Sequence, residues 1–210
     1  MKTKLFLLMA AVLFACSTAK AYDALIDGIY YNFYGDEAEV TYEKEEGYDY
    51  ISNYSGAIVI PESIIYNDKT YSVTTVGDHA FFNCSELTSV VIPNSVTHIG
   101  IYAFGHCFGL TTISLGNGVK CIETNAFNNC YKLTSIIIPK SVTSISGHAF
   151  FACGSLATIK VEEGNAVYDS RNNCNAIIET QTNTLIRGGM ETIIPNTVTY
   201  IGKDAFSGSN

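Results

Sequence analysis

Cysteine and histidine are the residues of this 210-residue chain best suited to metal, redox or acid–base chemistry, and their spacing decides which of these is open. Cys84, Cys107, Cys130 and Cys153 recur every 23 residues, with Phe81, Phe104, Phe127 and Phe150 three residues before them and Leu87, Leu110, Leu133 and Leu156 three after. Structural zinc sites pair cysteines two to four residues apart, so a 23-residue ladder predicts no metal site, and no cofactor is expected either. Equivalent positions in stacked turns lie about 4.8 Å apart, inside the Cα range of a disulfide. Parallel side chains, however, keep their Cβ atoms near that same spacing, whereas a disulfide wants about 3.8 Å. The ladder is therefore read as buried free thiols, each a small apolar filler packed against the Ala-Phe of its own turn. The states of Cys121 and Cys174, off the ladder, are left open.

The histidines fall in slots of the same period. His79 and His148 share theirs with Tyr102, Asn125 and Asp204; His98 aligns with Thr75, Cys121, Ser144 and Tyr200; His106 aligns with Asn83, Asn129, Ala152 and Gly208. A catalytic histidine needs a fixed partner within hydrogen-bond reach, and variable outward slots predict solvated surface side chains instead. The Ser and Thr of the LTS, LTT and SVT segments are repeat-locked surface residues. No GxSxG, HExxH, P-loop or dinucleotide motif is present. Asp36, Glu37, Glu39, Glu43, Glu45 and Glu46 form an acidic run without the regular ligand spacing of a calcium loop, and are read as a solvated face. An enzyme is not expected.

The elements that must carry these residues follow from the period. Written from the leucine, three units read LTSVVIPNSVTHIGIYAFGHCFG, LTTISLGNGVKCIETNAFNNCYK and LTSIIIPKSVTSISGHAFFACGS. Leu87, Val90 and Ile92 point inward with Ser89 and Val91 outward, and Pro93 ends the strand because it has no N–H to donate. Val96 and Ile99 turn inward on a second short extended piece, and Ala103-Phe104 occupies a tight turn or single helical turn. One unit cannot bury its apolar face alone, so the units must stack as a solenoid.

Charge and hydropathy set the remaining bounds. Net charge is −8 with 15% charged residues, which excludes a nucleic-acid partner, since phosphate binding needs clustered Lys and Arg. After residue 20 no apolar run is long enough to span a bilayer, so the mature chain is expected to lack a transmembrane helix. Residues 1–21 read as a signal peptide: Lys2 and Lys4, an apolar stretch from Leu5 to Ala15, and a small-x-small site at Ala19-Lys20-Ala21. Leu13-Phe14-Ala15-Cys16 resembles a bacterial lipoprotein box, which makes a lipid anchor on Cys16 the alternative; either reading is exported, extracellular or at the cell surface.

The pattern L-x-x-[IV]-x-[IL]-P-x-S-V-x-x-I-G-x-x-A-F-x-x-C resembles the BspA-like leucine-rich repeats, the 23-residue type of bacterial surface proteins. The resemblance implies a β-rich leucine-rich-repeat solenoid, a right-handed superhelix with short 3₁₀ or helical turns, over residues 58–210. Residues 22–57 break the period and are expected to form an N-terminal β-hairpin cap. Hairpin inserts are expected near 62–72 and 165–187, where the chain has nine and ten residues more than whole periods allow. The resemblance also implies a non-catalytic exported binding or adhesion protein that recognises a host or bacterial surface protein or glycan. A structural or self-assembling surface protein, joined through the C-terminal solenoid edge, is the alternative. The expected binding positions are the outward row Val91, Ser114, Ile137 and Lys160, with Arg187 of the second insert at its edge. Thr97, Lys120, Thr143 and Thr199 form a second outward row, and Phe82, Phe108, Tyr131 and Phe151 fall in or beside slots that are polar in other turns.

Overall fold

In the computed structural model, which describes residues 20–46 and 49–208, the 23-residue unit is one turn of a β-solenoid. Residues 1–19, and with them most of the leader and Cys16, lie outside the described residues. The first strand of each turn stacks in parallel on the next: Gly56–Val59 on Leu87–Val91, then Thr112–Ser114, and further on Ser135–Ile138 on Thr158–Val161. A second ladder runs Lys69–Val76, His98–Ile99, Cys121–Ile122, Ser144–Ile145 in register, so that one period in sequence is one strand spacing in space. Among the described residues no helix is long and apolar enough to cross a membrane.

The inward positions make one continuous core. Leu87, Leu110, Leu133 and Leu156 are fully buried, as are Val96, Val119 and Val142. Phe81, Phe104, Phe127 and Phe150 stack face to face, with ring centroids 4.9, 5.2 and 5.3 Å apart and the planes within 6° of parallel. Tyr54 closes the stack on Phe81 at 4.5 Å, its hydroxyl donating to Thr41 O and accepting from Tyr30 N. The ring thus ends the stack while its polar atom remains paired inside the fold.

The segment carrying each Ala-Phe is a chain of turns and not a 3₁₀ or α-helix. The residue before Ala is left-handed in every turn (His79, Tyr102, Asn125, His148, Asp204; φ between 52° and 63°), and so is the residue before Cys (Asn83, His106, Asn129, Ala152, with Gly208 equivalent). Two left-handed residues four apart cannot belong to a right-handed helix. They let alternate amides reach the next turn, as in Phe81 N to Ala103 O (2.8 Å) and Asn83 N to Gly105 O (2.8 Å). The variability of these slots is therefore conformational selection for residues that tolerate positive φ. Ala152 fits this demand least well, at φ 54°. Ala152→Gly is expected to stabilise the fold by about 1 kcal/mol, read as a raised urea midpoint at constant m-value.

The ladder thiols are buried, and no disulfide joins any of the described cysteines. Three of the four thiol hydrogens go to the preceding turn: Cys107 Sγ donates to Phe81 O (3.0 Å), Cys130 Sγ to Phe104 O (3.1 Å) and Cys153 Sγ to Phe127 O (3.0 Å). Burial pushes the Cys84 thiol from 9.0 up to about 12 and drives Cys107 and Cys130 well upward. The folded chain therefore holds thiol protons that the unfolded chain releases above about pH 8.5. This stabilisation is complete below that pH and disappears as pH climbs toward 12. The urea midpoint is expected to fall steadily above pH 9, and the fall between pH 9 and 10 is expected to shrink in Cys107→Ser with Cys130→Ser.

The chain before the first full turn forms an antiparallel meander, Ala24–Ile26, Ile29–Tyr34 and Glu37–Thr41, whose last strand pairs in parallel with Lys69–Val76. The two inserts are built alike. Ser63–Tyr66 pairs antiparallel with Lys69–Val76, and Ala176–Glu179 with Thr184–Gly188. In each hairpin the second arm is itself a ladder strand, pairing in parallel with His98–Ile99 in one case and Tyr200–Ile201 in the other. The inserts are thus extended second strands of the repeat.

Candidate interaction surface

The first-strand ladder presents one outward residue per turn. Val59 pairs with Val91 and Val91 with Ser114 on one three-stranded sheet, and Ile137 pairs with Lys160 on the next, two-stranded one, so these five side chains fall at the equivalent outward position of successive turns. Val59, Val91 and Ile137 are 67, 43 and 52% exposed although the core needs none of them. Val59 extends the row by one turn beyond Val91. Its signal in the sequence is Ile60-Pro61, which aligns with Ile92-Pro93 once the nine-residue insert is removed.

At its other end the row opens into a groove of about 560 Å³ between Ile137 and Lys160 on one side and the Glu162–Asn173 segment on the other. Arg171 forms part of this wall. Its guanidinium grips Asp169 through Nε and one terminal nitrogen (2.7 Å) and donates to Asn183 Oδ1 (2.7 Å), and the Asp169 carboxylate raises its pKa. The groove therefore carries both charge signs: Lys160 and Arg171 beside Glu162, Glu163 and Asp169.

Arg187 does not belong to this surface. It is 3% exposed and reaches across the last turns, donating to Cys153 O (3.1 Å) and Ser207 O (2.9 Å), and burial lowers its pKa. The strand alternation explains the misplacement. Leu185 and Arg187 are two residues apart on the strand Thr184–Gly188, so both face inward, with the more accessible Ile186 between them. The cation at the edge of the face is Arg171.

The histidines are half-buried and engaged, contrary to a free solvated reading. The His79 ring is stacked 3.7 Å from Tyr50 and 5.6 Å from Tyr102. His106 Nε2 lies 3.2 Å from Asn129 Nδ2, and His148 Nε2 lies 2.9 Å from Asp204 Oδ2. Beside them Phe108 and Tyr131 are exposed and stacked at 5.5 Å, whereas Phe82 and Phe151 are half-buried. The acidic run is likewise partly engaged: Asp36 pairs with Lys69 (2.8 Å), and Glu39 is half-buried, its pKa raised by burial and then by Asp78. The side chains of Glu45 and Glu46 lie outside the described residues.

Hydroxyls follow the ladder as well. Thr111 Oγ1 donates to Thr88 O, Thr134 Oγ1 to Thr111 O and Thr143 Oγ1 to Lys120 O, each one turn back. One further cluster was hidden by sequence distance: a nitrogen of His98, Cys121 Sγ and a carboxylate oxygen of Glu123 all lie within 4.8 Å of one another. His98 and Cys121, 23 residues apart and off the cysteine ladder, are paired neighbours on adjacent strands.

The family model for the BspA type leucine-rich repeat region matches residues 59–178, more than half of the chain, in six copies. A crystal structure of a leucine-rich repeat protein from Bacteroides ovatus is similar at 32% identity and TM-score 0.53, covering 67% of this chain and 41% of that one. Another, from Bacteroides capillosus, is similar at 27% identity and TM-score 0.54 over 66% of this chain and 97% of that one. The pneumococcal vaccine antigen PcpA shares the fold, with TM-score 0.56 at 18% identity over 91% of this chain and 62% of that one. No curated protein matches the chain. The repeat signature, the stacked 23-residue turns and the six-copy match together place this chain in the BspA-type leucine-rich repeat family.

Proposed function

We propose that this chain is an exported, non-catalytic binding protein that recognises a protein partner on the outside of a cell through its first-strand face. The observation that carries the reading is the outward row Val59, Val91, Ser114, Ile137 and Lys160 on two successive parallel sheets, in which Val59, Val91 and Ile137 are exposed apolar side chains, leading into the charged groove at Arg171. Positions that packing leaves free are those a solenoid can devote to recognition, and branched aliphatic residues displayed in a flat row suit a protein surface better than a glycan. Catalysis is left out of the reading because the repeat hydroxyls are tied to carbonyls of the preceding turn. Membership of a family of surface leucine-rich repeat proteins supports the export.

The test is a binding screen against cell-surface and extracellular-matrix proteins, followed by two charge-reversal sets. Val91→Glu with Ile137→Glu, and Lys160→Glu with Arg171→Glu, are each expected to weaken binding at least tenfold. The thermal midpoint should move little with the first set, since both residues point out of the core. Normal binding by both sets places the contact elsewhere and overturns the reading.

Self-association is the second reading, favoured by one observation. Met190, Ile193 and Ile194, in the segment before the last strand, and Tyr200 and Ile201 on that strand are all exposed, with Ile193 at 77%. Sedimentation of the wild type against Ile193→Glu with Tyr200→Glu separates it from the first reading, because a self-associating chain is expected to dissociate on the pair of changes and the strand-face reading predicts no change.

A further inference from the structure

We infer that His98, Cys121 and Glu123 form a binding site for one borderline-soft divalent cation, with zinc as the occupant that suits the donors. His98 and Cys121 sit side by side on adjacent strands of the second ladder, and Ile99 and Ile122 next to them point into the core with no exposed surface. Alternation about Ile122 sends Cys121 and Glu123 out on one side, and the three potential donor atoms already lie within 4.8 Å of one another. Bonds of about 2.0–2.3 Å in a tetrahedral arrangement put donors roughly 3.3–3.8 Å apart, so closing on a cation asks only small side-chain adjustments.

The set of one imidazole nitrogen, one thiolate and one carboxylate matches the nitrogen, sulfur and oxygen donors of zinc and its neighbours, and is a poor set for calcium or magnesium. Cys121 Sγ now donates to Glu123 Oε1 (3.0 Å), while Ser146 Oγ, from the following turn, donates to Glu123 Oε2 (3.0 Å). On binding, the S–H bond of Cys121 breaks, its proton leaves to solvent and the sulfur keeps the electron pair that bonds the cation. Ser146 then orients the carboxylate as an outer-shell partner. Water completes the fourth position, and the cation ties one solenoid turn to the next. Among the described residues Cys121 is the one cysteine that is not buried, so the ladder thiols do not compete for the cation.

Neighbouring turns supply the conservative variants. The same slot holds Thr75 and Ser144, so His98→Thr and Cys121→Ser put in place residues this fold already carries there. The experiment titrates the full chain with cobalt(II) alone and follows the thiolate-to-cobalt charge-transfer band. One equivalent is expected to develop the band, and zinc is expected to abolish it by displacement. The band should be absent in Cys121→Ser, and affinity should fall at least tenfold in His98→Thr and in Glu123→Gln. Zinc is also expected to raise the thermal midpoint of the wild type, to raise it less in His98→Thr and Glu123→Gln, and to leave that of Cys121→Ser unmoved. A missing band in the folded wild type overturns the site, as does a band that persists in Cys121→Ser.

Discussion

Phe127→Ala is expected to destabilise the fold by about 3–5 kcal/mol, the range for truncating a fully buried phenylalanine. The ring is sandwiched between Phe104 at 5.2 Å and Phe150 at 5.3 Å with the planes within 1° of parallel, so both of its faces lose contact at once. The main-chain bonds, Phe127 N to Ala149 O and the Cys153 thiol to Phe127 O, survive the change and hold the turn in place, so the surrounding backbone does not collapse into the space. A cavity there lies in the middle of the stack, where neither neighbouring turn can close over it without breaking register. In a solenoid each turn is stabilised mainly by its neighbours, so the loss should also lower cooperativity. Urea denaturation followed by circular dichroism reads the first effect as a lower midpoint and the second as a reduced slope. An unchanged midpoint removes the aromatic stack from the account of stability.

Arg187→Glu is expected to cost about 3–5 kcal/mol, while Arg171→Glu, at the groove, is expected to cost less, about 1–2 kcal/mol. The two differ in burial and in partners. Arg187 donates to the carbonyls of Cys153 and Ser207 from a nearly sealed position, so a carboxylate there meets carbonyl oxygens with no cation to offset it. Arg187→Met keeps much of the volume but leaves those carbonyls without this donor, and should cost an intermediate 1–3 kcal/mol. Amide hydrogen exchange is expected to quicken first at 202–208, because Arg187 ties Ser207 to the preceding turn. Equal stability of the Glu variant and the wild type contradicts the buried placement.

The sequence by itself determined the period, the inward set and the class of fold. Each inward residue recurs at a fixed offset in a 23-residue register, and the register survives because every turn must present the same apolar shape to the next. The outward row at Val91, Ser114, Ile137 and Lys160 was legible for the same reason, by subtraction.

What only the tertiary structure decided are the properties that depend on neighbours in adjacent turns. The slots of His79, His106 and His148 looked free because their side chains vary, yet the shared constraint is a left-handed backbone, to which the period of the residue types is blind. The thiol hydrogens of Cys107, Cys130 and Cys153 cross to Phe carbonyls one turn back, a direction that spacing does not encode. Arg187 is inward because it shares a strand face with Leu185, two residues before it, and only the pairing of that hairpin shows which face meets the core. His98 and Cys121, 23 residues apart in the chain, meet because stacking converts one period into one strand spacing, while Glu123 joins them from the same face of its turn. Sequence distance measures position along the coil, whereas chemistry in a solenoid happens across it.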